Sequence, residues 1–198
     1  MSVAIAPQQE RIPRAGQWTR SAYERLVQAG LFDGQHVELI AGHVITMSPM
    51  GSLHAAAVAL VARALETVFE MGYFVRWQMP FAVGAWSEPE PDVAVIAGQI
   101  RDYVGAHPSQ AALIVEVAET SLAYDRIEKA SLYAMAGVPE YWVVNLVDGQ
   151  VEIYRTPIPD SAQPHGYGYA EIVWRGVGEV IAPLAAAQAA ILVDDLLP

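Results

Sequence analysis

The 198-residue sequence predicts a mixed α/β fold of the α+β type, one β-sheet with helices packed against it. Three observations lead there. Residues 111–147 read as strand, turn, helix, turn, strand. Further apolar runs of strand length lie on both sides of that unit. Residues 18–31 and 53–70 have helical spacing or helical length instead. The resulting order is helix, hairpin, helix, several strands, helix, hairpin, which fits a layered sheet-and-helix architecture.

Residues 1–17 contain Pro7, Pro13 and Gly16, show no period and read as an arm; residues 18–198 then form one domain. In 18–31, Thr19 is the cap, Gly30 lies near the end, and Tyr23, Leu26 and Val27 share one face. Residues 36–40 and 43–47 form a hairpin around Ala41-Gly42. Glu38 lies in its first strand, with Val37 and Leu39 pointing the other way. Residues 53–70 make the longest helix, with His54 in its first turn and Gly72 beyond its end. Residues 73–79 and 81–83 read as strand interrupted by Pro80. Asp92, after Pro91, opens an apolar strand through Ala97.

Residues 111–118 are apolar except for Glu116, the pattern of a strand buried on both faces. The helix of 120–137 is capped by Thr120 or Ser121 and stopped by Gly137 before Pro139. Asp148-Gly149 reads as a two-residue turn between strands 140–147 and 150–155. Residues 156–168 read as loop and 169–174 as strand. Within 180–198 the pattern gives a short strand and a final turn or helix at 193–197.

Composition excludes several classes. Hydrophobic residues make up 54% and charged residues 17%, against roughly 25% charged in an average domain. The core is therefore generous, or an oligomer buries part of the surface. No run of about 18 apolar residues predicts a membrane span. The first residues lack the pattern of a secretion signal, so a cytoplasmic protein is expected. Without cysteine there are no disulfides and no thiolate metal sites. A net charge of −11 repels nucleic acid as a whole. A carboxylate cluster holding a divalent ion is partly neutralised, however. Arg11, Arg14, Arg20 and Arg25 also enrich the start in positive charge, as a phosphate-contacting arm or simply a solvated segment.

There is no GxxxxGK[ST], no GxGxxG after a strand, no HExxH and no GxSxG. The five histidines are dispersed, which argues against zinc. A set of acids in apolar strands remains: Glu38, Asp92 and Glu116. Two adjacent strands, each presenting a carboxylate, suit Mg²⁺, which takes one or two carboxylates plus waters and substrate phosphate. Lys129 is the only lysine, beside ten arginines. It supplies the compact ammonium that Arg cannot. The bland alternative is an i,i+4 pair with Asp125, worth ~0.3–0.5 kcal/mol.

These residues resemble a known family. Pro91-Asp92, Val115-Glu116-Val117, Tyr124 to Lys129 and Tyr133 to Trp142 are similar to the family of putative restriction endonucleases within the PD-(D/E)XK nuclease superfamily. Val37-Glu38-Leu39-Ile40, Gly42, Ser48-Pro49 and His54 extend the likeness over residues 19–197. The resemblance implies a restriction-endonuclease-like central mixed sheet flanked by helices. It implies Mg²⁺, with Mn²⁺ able to substitute, on Asp92, Glu116 and the Val117 carbonyl, with Glu38 completing or adjusting the site. The superfamily lysine stands two residues after the second acid, where this chain has Ala118. In this family it has moved to the following helix, the position of Lys129, with Asp125 able to steer it and His54 in a supporting role. The implied activity is DNA phosphodiester hydrolysis by a homodimer. The alternatives are a catalytically silent dimeric binding or regulatory module, and a metal-dependent hydrolase of another phosphodiester or a nucleotide.

Overall fold

The computed structural model describes residues 16–69 and 71–198. The arm, with Arg11 and Arg14, therefore lies outside the described residues except for Gly16 and Gln17.

The helix α1 (Arg20–Gln28) starts at Thr19, whose hydroxyl accepts from the Ala22 N–H. Only Tyr23 of this helix is buried, and its hydroxyl donates to the Val37 carbonyl (3.0 Å). Strands β1 (Val37–Ile40) and β2 (His43–Thr46) pair antiparallel as a separate two-stranded sheet. Their turn residues Ala41 and Gly42 have φ 51° and 87°, the doubly positive φ of a tight hairpin turn whose twist matches its strands. The helix α2 (Ser52–Val68) follows.

A six-stranded mixed sheet fills the centre, in the order β3-β4-β5-β6-β7-β8. It comprises β3 (Tyr73–Arg76), β4 (Val93–Ala97), β5 (Leu113–Ala118), β6 (Glu140–Asn145), β7 (Gln150–Pro159) and β8 (Tyr167–Gly176). Only β5 and β6 are parallel, because a helix connects them whereas short turns join the β6–β7 and β7–β8 pairs. Every residue of β5 and β6 is buried. One face, carrying Val93, Val95, Leu113, Val115 and Val117, packs on α2 and the C-terminal segment. The opposite face, with Ala94, Ile96, Ile114 and Ala118, meets Ile40, Leu132 and Tyr133. The C-terminal segment adds β9 (Val180–Ile181) and β10 (Ile191–Leu192), and it closes in a 3₁₀ turn at Val193–Leu196.

The connection between β5 and β6 is a continuous helical run with a change of pitch. It consists of α3 (Leu122–Tyr124), a π-helical stretch (Asp125–Lys129) and α4 (Ala130–Met135). Gly137, at φ 74°, ends it. Ser121 occupies the cap position, but its hydroxyl donates to Asp125 Oδ2 instead of capping.

Three expectations change. The strand expected at 73–79 ends at Arg76, and residues 81–83 form no strand, only a bridge from Val83 to Ser87. The Asp148-Gly149 turn is a four-residue loop, because Asn145 pairs with Gln150; the Asn145 side chain accepts from the Val147 and Asp148 N–H groups and holds it. The loop expected at 156–168 shrinks to 160–166. Beyond Arg155, β7 no longer has β6 beside it, so Pro157 and Pro159 forfeit no ladder bond on that edge.

Among the described residues, no helix is long and apolar enough to cross a membrane.

Candidate active site

Asp92 sits immediately before β4, and Glu116 lies on its antiparallel neighbour β5. Val93 pairs with Val115, so the two acids fall opposite one another. The backbone locks them together. The Asp92 N–H donates to Glu116 Oε2 (3.1 Å), and the Val117 N–H donates to Asp92 Oδ2 (2.9 Å). His54, in the first turn of α2, lies 3.1 Å from Asp92 Oδ1 through its Nε2. Accepting this bond gives Asp92 a partner at each oxygen. The same hydrogen bond raises the His54 pKa, against the lowering effect of burial.

Lys129 enters from the π-helical stretch. Its Nζ lies 2.9 Å from Glu38 Oε1 and 3.2 Å from Glu116 Oε1. Glu38 Oε2 is also only 2.8 Å from Nζ, but no donor is aligned to it for a hydrogen bond. The ammonium, Glu38 and Glu116 are almost fully enclosed, at 2%, 2% and 5% exposure. Burial by itself would lower the Lys129 pKa, but Glu116 and Glu38 more than reverse this and keep the lysine charged. The Glu90 N–H fixes Glu38 Oε1 (2.7 Å).

The predicted acids and the lysine therefore converge, with Asp92 at the more open end and Glu38 at the closed end. Asp125 does not form the i,i+4 pair that was the bland alternative for Lys129. No ion pair joins it to Lys129 among the described residues. The π stretch alters the angular spacing of the helix, and Asp125 binds Ser121 instead. Tyr133 went unassigned in the sequence. Its hydroxyl donates to Glu116 Oε1 at 2.6 Å. The available signal was its position one helical turn after Lys129, on the same face.

Burial raises the Glu116 pKa to about 8; Lys129 pulls it down, while Asp92, Asp125 and Glu38 push it up. Burial likewise raises Asp125 to about 6, opposed by the Ser121 bond and Lys129. The pocket thus has more acid than one ammonium balances, an excess of negative charge that a bound cation would offset.

The donor set fits a hard divalent ion. Both oxygens of Asp92 and Oε2 of Glu116 accept one hydrogen bond each and keep acceptor capacity, whereas Glu116 Oε1 is filled by Lys129 and Tyr133. In an extended strand the N–H and C=O of one residue point to the same edge, so the Val117 carbonyl faces the Asp92 side. Extending the β4–β5 register sets Pro91 opposite Val117, and proline has no N–H to occupy that carbonyl. Among the described residues, no group of three or more His, Asp or Glu side chains forms a ready-made cage. Two carboxylates and a carbonyl would leave the remaining positions to water and substrate oxygen, as Mg²⁺ favours.

The fold is similar to that of a solved structure, a putative nuclease belonging to DUF820 from Anabaena variabilis ATCC 29413. The TM-score is 0.66 at 14% sequence identity, covering 90% of this chain and 97% of that one. No curated protein matches the sequence. The Uma2 family model, described as "Putative restriction endonuclease", matches residues 20–180, and the chain belongs to that family.

Proposed function

We propose that this protein is a divalent-metal-dependent DNA endonuclease of the PD-(D/E)XK type. Residues 18–198 would be its single catalytic domain, working as a homodimer in the cytoplasm. The observation that carries the reading is the convergence of Asp92, Glu116 and Lys129 from three separate elements, with the ammonium 3.2 Å from Glu116. Asp92, Glu116 and the Val117 carbonyl would hold Mg²⁺, with Mn²⁺ able to substitute. When bound, such an ion neutralises phosphate charge and acidifies water.

The side chains divide the remaining work. His54 and the Val117 N–H hold the two oxygens of Asp92 in place. Tyr133 and the Asp92 N–H do the same for Glu116. Lys129 brings fixed positive charge to the side of the site where phosphodiester hydrolysis accumulates negative charge on the phosphoryl oxygens. A pre-aimed group of this kind is worth about 3–4 kcal/mol at the transition state. Glu38 grips Lys129 from behind and keeps its four-carbon stem from relaxing towards solvent. Hydrolysis adds water to phosphorus and releases the other fragment as an alcohol. Two sites in a dimer would cut both strands of a duplex.

Plasmid nicking tests the reading. Nicking is expected with Mg²⁺ or Mn²⁺, is abolished by chelator, and falls by about 100-fold or more in Asp92→Ala. Cleavage that survives both treatments would exclude it.

The net charge of −11 favours a second reading, a dimeric module of nuclease fold without turnover. It predicts no metal-dependent cleavage of any DNA by the wild-type chain.

A further inference from the structure

The two edges of the central sheet differ. β3 has four residues and is followed by Pro80, a short edge that resists further pairing. β8 has ten residues and, among the described residues, no strand pairs with its outer side. Edge strands that stay single are usually protected by charged side chains, lysine above all, by proline, by a bulge or by a covering element. Residues 171–175 of β8, Glu-Ile-Val-Trp-Arg, contain neither lysine nor proline. Their pairing with β7 is in unbroken register. Ile172 and Trp174 are 42% and 53% exposed there, a large apolar area for a sheet edge, and the two charges that flank them are of opposite sign.

The sequence of this edge is self-complementary. Set antiparallel to a second copy about Val173, it places Glu171 opposite Arg175 of the other copy. By the same two-fold axis Arg175 meets the second Glu171. Ile172 falls opposite Trp174, again twice, and Val173 meets its own equivalent. The charged pairs lie on the face of β8 that adjoins Val180 and Ile181. The Ile–Trp pairs lie on the other face, because side chains alternate along a strand. Opposite charges and aromatic–β-branched contacts are both favourable cross-strand pairs. A shift by one residue would lose both charge pairs and disrupt the apolar ones. Within one molecule the charge of Arg175 meets only a distant carboxylate. Its Nε lies 3.7 Å from Glu179 Oε1, and its Nη1 donates to the Trp174 carbonyl (3.0 Å).

We propose that β8 is the dimer interface of this protein. Two copies pair antiparallel through residues 171–175 and join their sheets into one of twelve strands. This deepens the homodimer of the proposed function by naming its surface, and it rests on that two-fold assembly but not on catalysis.

Sedimentation velocity on the full chain tests it, with folding of each variant checked by circular dichroism. The wild type is expected to be dimeric. Glu171→Arg sets like charges against each other twice and should weaken dimerisation by about tenfold or more. The double variant Glu171→Arg with Arg175→Glu restores opposite charges and should restore the dimer. Trp174→Lys should give monomers, because it removes two apolar pairs and adds a charge to the edge. A wild type that stays monomeric across the concentration range overturns both the interface and the homodimer. A dimer that persists unchanged in Glu171→Arg and Trp174→Lys overturns the β8 interface alone. Failure of the double variant to recover, with Glu171→Arg and Trp174→Lys both monomeric, overturns the charge register.

Discussion

At the level of single residues, the described part of the molecule buries several acids, and Glu140 and Glu152 among them are matched by Arg155 and Arg126. Glu38, Glu116, Asp125 and Glu88 are each at most 5% exposed. Glu88 sits outside the pocket, between β1 and α1. Burial raises its pKa to about 7, and the neighbouring Glu24 carboxyl adds to this, while Arg20 at 3.7 Å opposes it. The folded chain therefore binds this proton more tightly than the unfolded chain does. The stability so gained is complete below the ordinary glutamate pKa of about 4.5 and is lost as pH rises through about 7. Glu116 and Asp125 shift in the same direction. Thermal unfolding of the metal-free protein should thus move to lower temperature between pH 5 and pH 8. Glu88→Gln should remove from that slope a share of about 2 kcal/mol. An unchanged slope in the variant would show that Glu88 titrates normally. The sequence revealed Glu38, Asp92 and Glu116 because each is an acid in or at the mouth of an apolar strand, and Lys129 because it is the only lysine. Tyr133 sits in an apolar helix face where a tyrosine needs no explanation, and its role depends on which strand that face meets.

At the level of elements, the hairpin of β1 and β2 acts as the clamp that delivers Glu38. Its turn was legible, because Ala-Gly between two strand-like runs points to a tight reversal. Its docking was not. Gly42 has φ 87°, and a Cβ there would lie 3.1 Å from Gln17 Cβ and 3.3 Å from Trp86 Cε3. Gly42→Ala meets both the left-handed backbone penalty and these contacts. It should cost about 1–3 kcal/mol in urea denaturation. It should also reduce activity, because the hairpin holds Glu38 against Lys129; a variant as stable as wild type would contradict this. The helix between β5 and β6 shows the opposite limit. Its ends were legible from Thr120 or Ser121 and from Gly137, although the Ser121 hydroxyl does not cap. The π stretch at Asp125–Lys129 was not, since nothing in Asp-Arg-Ile-Glu-Lys marks a change of pitch. Tertiary contacts support it; the Tyr141 hydroxyl, from β6, donates to the Asp125 carbonyl (3.1 Å). That change of pitch also accounts for the missing Asp125–Lys129 pair.

For the whole molecule, the strand–helix–strand unit defined the fold, because two doubly buried strands joined by a helix favour a parallel pair. The β5–β6 pairing is that pair. Strand order beyond it depends on which edges meet, and local sequence does not encode this. Lys129 belongs to this scale because it joins the helix, the hairpin and the sheet through one nitrogen. The most direct test is to measure Mn²⁺ affinity by calorimetry and DNA cleavage rate on the same Lys129→Met protein. Lys129 competes with a bound cation for Glu116, so removing it should leave Mn²⁺ binding at least as tight as in wild type. Cleavage should fall by about 100- to 1,000-fold. A Lys129→Met protein that binds Mn²⁺ and cuts DNA at the wild-type rate would contradict the assignment.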